Sequence, residues 1–275
     1  MTTFRAESVL DIGDGHPLVM LHGWGQTKKA LYPLAKSLSS KFRTILLDLP
    51  GHGELKSDQG PYSYSRYCNI VKEVVTEKIK GGPFTLLGWS MGGAIAALYA
   101  LKKVGPSPAS LIFLSATAKF AVDSKEESDM GQPKATLKKT LKLLNEDHEF
   151  GLRSFVGMLL ASNEKVDDES RKWVETHLVD EANFPPPKKV LIDTLNELIK
   201  TDLTLLVSDN EKMSTPLLLA HGEIDNVTPI KSQLYWYKLF KNIVKFNIKN
   251  VGHAPQLTAL NKLSLRIEKF LTTGN

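Results

Sequence analysis

The chain has 275 residues, 42% of them hydrophobic and 24% charged, which gives enough length and apolar content for a large globular core. No apolar run approaches the roughly 18 residues of a membrane span, the opening stretch MTTFRAESVLDIGDG does not read as a secretory signal, and the single cysteine, Cys68, has no partner for an internal disulfide; a cytoplasmic protein is expected. A formal net charge of +5 is too mild to imply nucleic acid, but the lysines gather in acid-free stretches, one of which contains Lys134, Lys138, Lys139 and Lys142.

His16 to Leu21 (HPLVML) reads as a short buried strand running into His22-Gly23-Trp24-Gly25. Lys29 to Ser40 has helical spacing, with Leu31, Leu34, Ala35 and Leu38 on one face. Thr44 to Leu47 is the next strand, and the DLPGHG that follows reads as a turn in which His52 is structural rather than catalytic. Tyr64 to Lys80 is an amphipathic helix with Tyr67, Ile70, Val71, Val74 and Val75 inward. Phe84 to Leu87 is a strand, Met91 to Lys103 a helix, and Ser110 to Leu114 another strand. Strands separated by helices imply parallel βαβ units and a mostly parallel, doubly wound α/β sheet.

The rhythm then breaks. Residues 118–209 give helical signals only, with Leu137, Leu141 and Leu144 on one helix face and Leu152, Phe155, Val156, Leu159 and Leu160 on another. It resumes with a strand at Pro216 to Ala220, a helix over Ile230 to Phe240, a strand at Val244 to Ile248 and a last helix from Ala259 to Leu271. The expected organisation is an α/β core in two parts, 1–117 and 210–275, with a helical cap at 118–209 inserted between them.

Gly88-Trp89-Ser90-Met91-Gly92 fits G-x-S-x-G at a strand-to-helix junction, where a sharp turn exposes a nucleophilic serine and the flanking glycines relieve crowding. A serine hydroxyl needs a base and the base an orienting acid, in the chain order Ser, acid, His. Of the later histidines, His148 and His177 lie in polar stretches of the insertion and His221 follows a strand. His253, in a loop between the last strand and the last helix, is the expected base. In AHGEIDNVTP both Glu223 and Asp225 follow a strand; Asp225, at the end of the loop, is preferred and Glu223 is the alternative. The backbone N–H groups of Met91 and Trp24 are the expected donors to a tetrahedral oxyanion. Phe155, Met158 and Leu159 would line an apolar slot, and Lys134, Lys138 and Lys142, spaced i, i+4 and i+8, would form one basic ridge.

Together HGWG, DLPGHG, GWSMGG, GEIDNVTP and VGHAP resemble the α/β-hydrolase superfamily over almost the whole chain. HGWG with GWSMGG is similar to a narrower group, the pimeloyl-acyl-carrier-protein methyl ester esterases of biotin synthesis. LIDTLNELIKTDLTLLV looks like the segment where that group's cap returns to the core, and GLRSFVGMLL like its cap helix facing the active site. The resemblance implies an α/β-hydrolase fold with a helical cap and a Ser90–His253–Asp225 triad. It also implies contacts of Trp24 and Met91 with the ester oxygen, and an acyl channel lined by Phe155, Val156, Gly157, Met158 and Leu159. The implied substrate is an ester carried on an acidic acyl carrier protein, which the Lys134–Lys138–Lys142 ridge would steer, with no metal, cofactor, nucleic acid or membrane required and a monomer expected. A hydrolase of free esters or of C–C bonds would use the same triad, whereas a non-catalytic binder would show a broken one.

Overall fold

The continuous apolar runs of the first and last thirds become the strands of one seven-stranded sheet in the computed structural model, which describes residues 5–174, 178, 185–208 and 211–274. The strands are β1 (Val9–Ile12), β2 (Pro17–Leu21), β3 (Arg43–Leu47), β4 (Thr85–Trp89), β5 (Ser110–Leu114), β8 (Leu217–Gly222) and β9 (Ile243–Ile248). β6 (Ala121–Val122) and β7 (Gln132–Pro133) form a separate two-residue parallel pair. The order across the sheet is β1-β3-β2-β4-β5-β8-β9; β1 runs antiparallel to β3 and every other neighbour is parallel. Central strands of such a sheet are covered on both faces, which is why β4 and β8 are buried along their whole length and read as unbroken apolar runs.

The core helices are α1 (Tyr32–Leu38), α2 (Tyr64–Ile79), α3 (Met91–Leu101), the single turn α8 (Pro255–Thr258) and α9 (Leu260–Thr273). The crossovers from β2 to β3 and from β4 to β5 step in opposite directions, so right-handed connections put α1 and α3 on opposite faces. Between β5 and β8 come α4 (Lys134–Glu146), α5 (His148–Gly157), α6 (Asp168–Val174) and α7 (Lys188–Lys200). α4 packs on α5 and α7, and α7 is tied to the core by the Trp24 indole N–H on the Leu191 carbonyl (3.1 Å) and by the Tyr64 N–H on the Glu197 carboxylate (3.1 Å). His148 is half-buried at the start of α5, and His177 lies outside the described residues. Among the described residues no helix is long and apolar enough to cross a membrane.

Four features differ from the sequence reading. β1 was not expected: it is a short edge strand, mostly half-buried, with a weak apolar pattern. The expected helix from Lys29 begins instead as a 3-10 turn over Lys28–Leu31, capped by the Thr27 side chain, and becomes α-helical only at Tyr32. Pro33 fixes that start, since its missing N–H is harmless only in the first turn. The segment expected as an α-helix from Ile230 is a run of 3-10 turns over Ile230–Lys238. Its buried side chains recur every third residue, Ser232 with Tyr235 and Gln233 with Trp236, and a helix of three residues per turn stacks that pattern on one side. The insertion, expected to be wholly helical, also contains the β6–β7 pair.

Candidate active site

Four loops at the carboxyl ends of parallel strands converge: those after β2 (Trp24), β4 (Ser90), β8 (Asp225) and β9 (His253), the crevice where sheets of this kind hold ligands. Ser90 has φ 54° and ψ −119°, a strained backbone for any residue with a side chain, and lies between the end of β4 and the start of α3. The strain is sustained because nothing larger than glycine fits around it. A Cβ on Gly88 would lie 2.2 Å from the Gly92 carbonyl oxygen, and one on Gly92 would lie 2.3 Å from that of Leu21. The Ser90 carbonyl accepts the N–H of Gly93 at 2.9 Å, locking the turn into the helix.

His253 is fully buried, and its Nδ1–H donates to Asp225 Oδ2 at 2.8 Å, which leaves Nε2 as the proton acceptor. That Nε2 is buried and has no hydrogen-bond partner among the described residues. The imidazole sits beside the elbow: the indole of Trp89, the residue before Ser90, lies 5.8 Å from it centroid to centroid and donates its N–H to the His253 carbonyl at 2.8 Å. On the other side the His253 N–H donates to the Leu159 carbonyl at 3.0 Å, so the main chain of the insertion holds the histidine loop directly.

Asp225 is buried, whereas Glu223 is exposed on the same turn, and only Asp225 reaches His253. Its Oδ1 accepts the N–H groups of Val227 (2.9 Å) and Thr228 (2.9 Å); its Oδ2 accepts from His253 and the Thr228 hydroxyl (2.9 Å). Burial alone would push this carboxyl up, but the charge interaction with His253 and hydrogen bonds from His221 and His253 outweigh it and hold it well below the usual carboxylate range. That shift favours the anionic form of Asp225, the form that can stabilise an imidazolium.

Ser90 opens into a cavity of about 80 Å³ whose walls come from both parts of the fold. Trp24 and Phe155 meet edge to face, with centroids 4.8 Å apart at 88°, and Phe120, Leu137, Leu195 and Leu198 complete an apolar wall. Thr136 and Thr140 of α4, with Gln132 and Asn226, form a polar side without a charged group. Trp24 thus supplies part of that wall. Among the described residues no acceptor takes the backbone N–H of Trp24 or Met91.

Of the expected cap residues, Phe155 and Met158 line the cavity and Val156, Gly157 and Leu159 do not. The reason is helical spacing. Residues 155 and 158 share a face, Val156 and Leu159 turn into the packed interior, and Gly157 is exposed. The lining residues of α4 and α7 were not anticipated, because each helix shows an apolar face in sequence without showing what it faces. Lys134, Lys138 and Lys142 are all exposed on α4, as their spacing requires. Lys134 pairs with Asp123 at 2.5 Å and Lys142 approaches Glu146 at 3.7 Å. The DLPGHG turn is a structural knot: Asp48 accepts the Lys28 backbone N–H at 2.8 Å and the Glu54 N–H at 3.1 Å, and His52 is buried 5.0 Å from His22, ring to ring.

The α/β hydrolase fold family matches residues 16–260. Among similar proteins, the pimeloyl-[acyl-carrier protein] methyl ester esterase of Nitrosospira multiformis is 26% identical over 272 residues, covering 95% of this chain and 97% of its own. The protein of the same name from Nitrosomonas europaea is 28% identical over 253 residues, covering 90% and 92%. An esterase from Exiguobacterium antarcticum superposes with a TM-score of 0.82 at 23% identity over 96% of this chain and 95% of its own. A bromoperoxidase from Bacillus anthracis superposes with 0.84 at 22% over 96% and 94%. With its family match spanning nearly the whole sheet and the strand-serine-helix turn at its centre, the chain belongs to the α/β-hydrolase fold family.

Proposed function

We propose that the protein is a serine carboxylesterase that cleaves the methyl ester of a pimeloyl chain carried on an acyl carrier protein, the reaction named for its relatives. The observation that carries the chemistry is the buried Asp225–His253 pair, its Nε2 unpartnered, next to a strained serine that opens into an apolar cavity. Ser90 Oγ attacks the ester carbonyl while His253 Nε2 takes its proton, and Asp225 stabilises the imidazolium. The backbone N–H groups of Met91 and Trp24 receive the oxyanion, aided by the N-terminus of α3. Methanol leaves with the proton from His253. Water, deprotonated by His253, then attacks the acyl-enzyme and releases the free acid and Ser90.

The cavity is far below the roughly 300 Å³ of a pocket that encloses a whole ligand, so in this reading the chain is gripped at its ester end and extends out past Thr136 and Thr140. Residues 118–209 act as the cap, and the exposed α4 lysines, Lys138 foremost because its neighbours are ion-paired, meet the acidic carrier at the mouth. The reading includes a monomeric, cytoplasmic enzyme. The test is rescue of a biotin-requiring strain that lacks its own pimeloyl-ester esterase. Wild type is expected to restore growth and Ser90→Ala to fail at equal expression; failure of well-expressed wild type would overturn the substrate assignment.

A further inference from the structure

Asp225 Oδ2 has a third neighbour that the triad does not use. His221, on β8, is buried, and its Nε2 lies 2.7 Å from the Thr228 carbonyl oxygen and 3.3 Å from Asp225 Oδ2. A nitrogen placed against a carbonyl oxygen and a carboxylate oxygen must carry the proton. The ring is therefore the Nε2–H tautomer, with one N–H shared between the two acceptors. Two histidines, His221 and His253, thus point an N–H at the same carboxylate oxygen, one from the strand before the acid and one from the loop after the next strand.

The turn between them makes this possible. Gly222 ends β8 where a Cβ would lie 2.2 Å from the carbonyl oxygens of both Val251 and Gly252, so the acid loop and the histidine loop are in direct contact. The chain then doubles back through the Asp225 turn, bringing the Thr228 carbonyl and hydroxyl onto the His221 ring at 2.7 and 3.4 Å. The other carboxyls near the histidine loop are Glu223, exposed on the acid turn, and Glu164, whose Oε2 crowds Gly252 from the insertion. Neither has a hydrogen bond to His221 or His253 among the described residues.

We infer that His221 is a positioning residue of the triad: its Nε2–H fixes Asp225 Oδ2 and draws charge from it, setting how strongly Asp225 stabilises protonated His253. The inference rests on the triad reading above. Each donor that shares Oδ2 leaves less charge for the His253 Nδ1–H. Removing the His221 donor concentrates that charge on His253 and makes it a stronger base.

Three measurements test this. In wild type, nitrogen-15 NMR of the histidines should show a proton on His221 Nε2; a proton on Nδ1 and none on Nε2 would overturn the inference. In His221→Phe the low-field proton resonance of His253 Nδ1–H should move further downfield, and the acid limb of kcat/KM for p-nitrophenyl acetate should rise by about half a pH unit to one unit. His221→Gln, whose amide can place an N–H where Nε2 stood, should restore both to near the wild-type values. An unmoved limb and resonance in His221→Phe, or a Gln variant no closer to wild type than Phe, would show that His221 is merely a packing residue. Should the Phe variant not fold, the tautomer and the Gln variant decide the matter. Failure of the triad reading itself looks different: wild type would then leave Ser90 unlabelled by a fluorophosphonate, while the NMR measurements would still report on His221.

Discussion

A methyl group on Gly92 would meet the Leu21 carbonyl oxygen, part of the sheet itself, so neither atom can yield without moving β2. Gly92→Ala is therefore expected to lower stability by about 1–3 kcal/mol, read from urea unfolding, and to cost esterase activity out of proportion, because relief of the clash tilts Ser90 away from His253. An Ala variant of full activity would show that the elbow tolerates a side chain there. The same residue scale explains the choice of acid. Glu223 and Asp225 look alike in AHGEIDNVTP, but only the second is turned inward, where four hydrogen-bond donors other than His221 converge on it. Removing its charge in Asp225→Asn leaves His253 without a stabilised imidazolium, and kcat is expected to fall by about four orders of magnitude with little change in KM.

At the scale of elements, the parts most legible in the sequence are those whose pattern is set by their own neighbourhood. Parallel strands buried on both faces must be unbroken apolar runs, and GWSMGG must be small around its serine, so the residues alone place β4, α3 and Ser90. The elements that escape such a reading depend on partners elsewhere in the chain. β1 pairs only with β3, and the inward faces of α4 and α7 matter only because Trp24 and Phe155 stand opposite. The basic ridge of α4 is a local pattern whose use depends on a partner. Charge reversal in Lys138→Glu/Lys142→Glu is expected to reduce kcat/KM on the carrier-bound ester by about tenfold at low salt and leave p-nitrophenyl acetate hydrolysis unchanged. Equal loss on both substrates, or no loss on either, would remove the ridge from carrier recognition.

For the whole molecule, the two histidines of the HGWG and DLPGHG motifs set a limit in acid. Burial pushes His22 down to about 4; burial, helped by the charge of His22, pushes His52 down to about 3. Both are neutral in the folded chain, so below pH 6.5 the unfolded chain binds more protons, and stability is lost as pH falls from there towards 4. The loss amounts to about 2 kcal/mol for each histidine at pH 5. His52→Leu should therefore lose less stability than wild type between pH 7 and pH 5, measured by urea unfolding at both; identical losses would mean that His52 is not held neutral.

The bond from the His253 N–H to the Leu159 carbonyl joins main chain to main chain. No side chain encodes it, so almost any residue at either position keeps it, and among single substitutions only proline at 253 deletes the donor. The cavity-lining side chains of the insertion can therefore change, and with them what the cavity admits, while its backbone keeps the same grip on the loop that carries His253, the proposed base. In the proposed reading, where this insertion is the lid, it is free to be rewritten for a new substrate without the hydrolytic machinery having to be rebuilt beneath it.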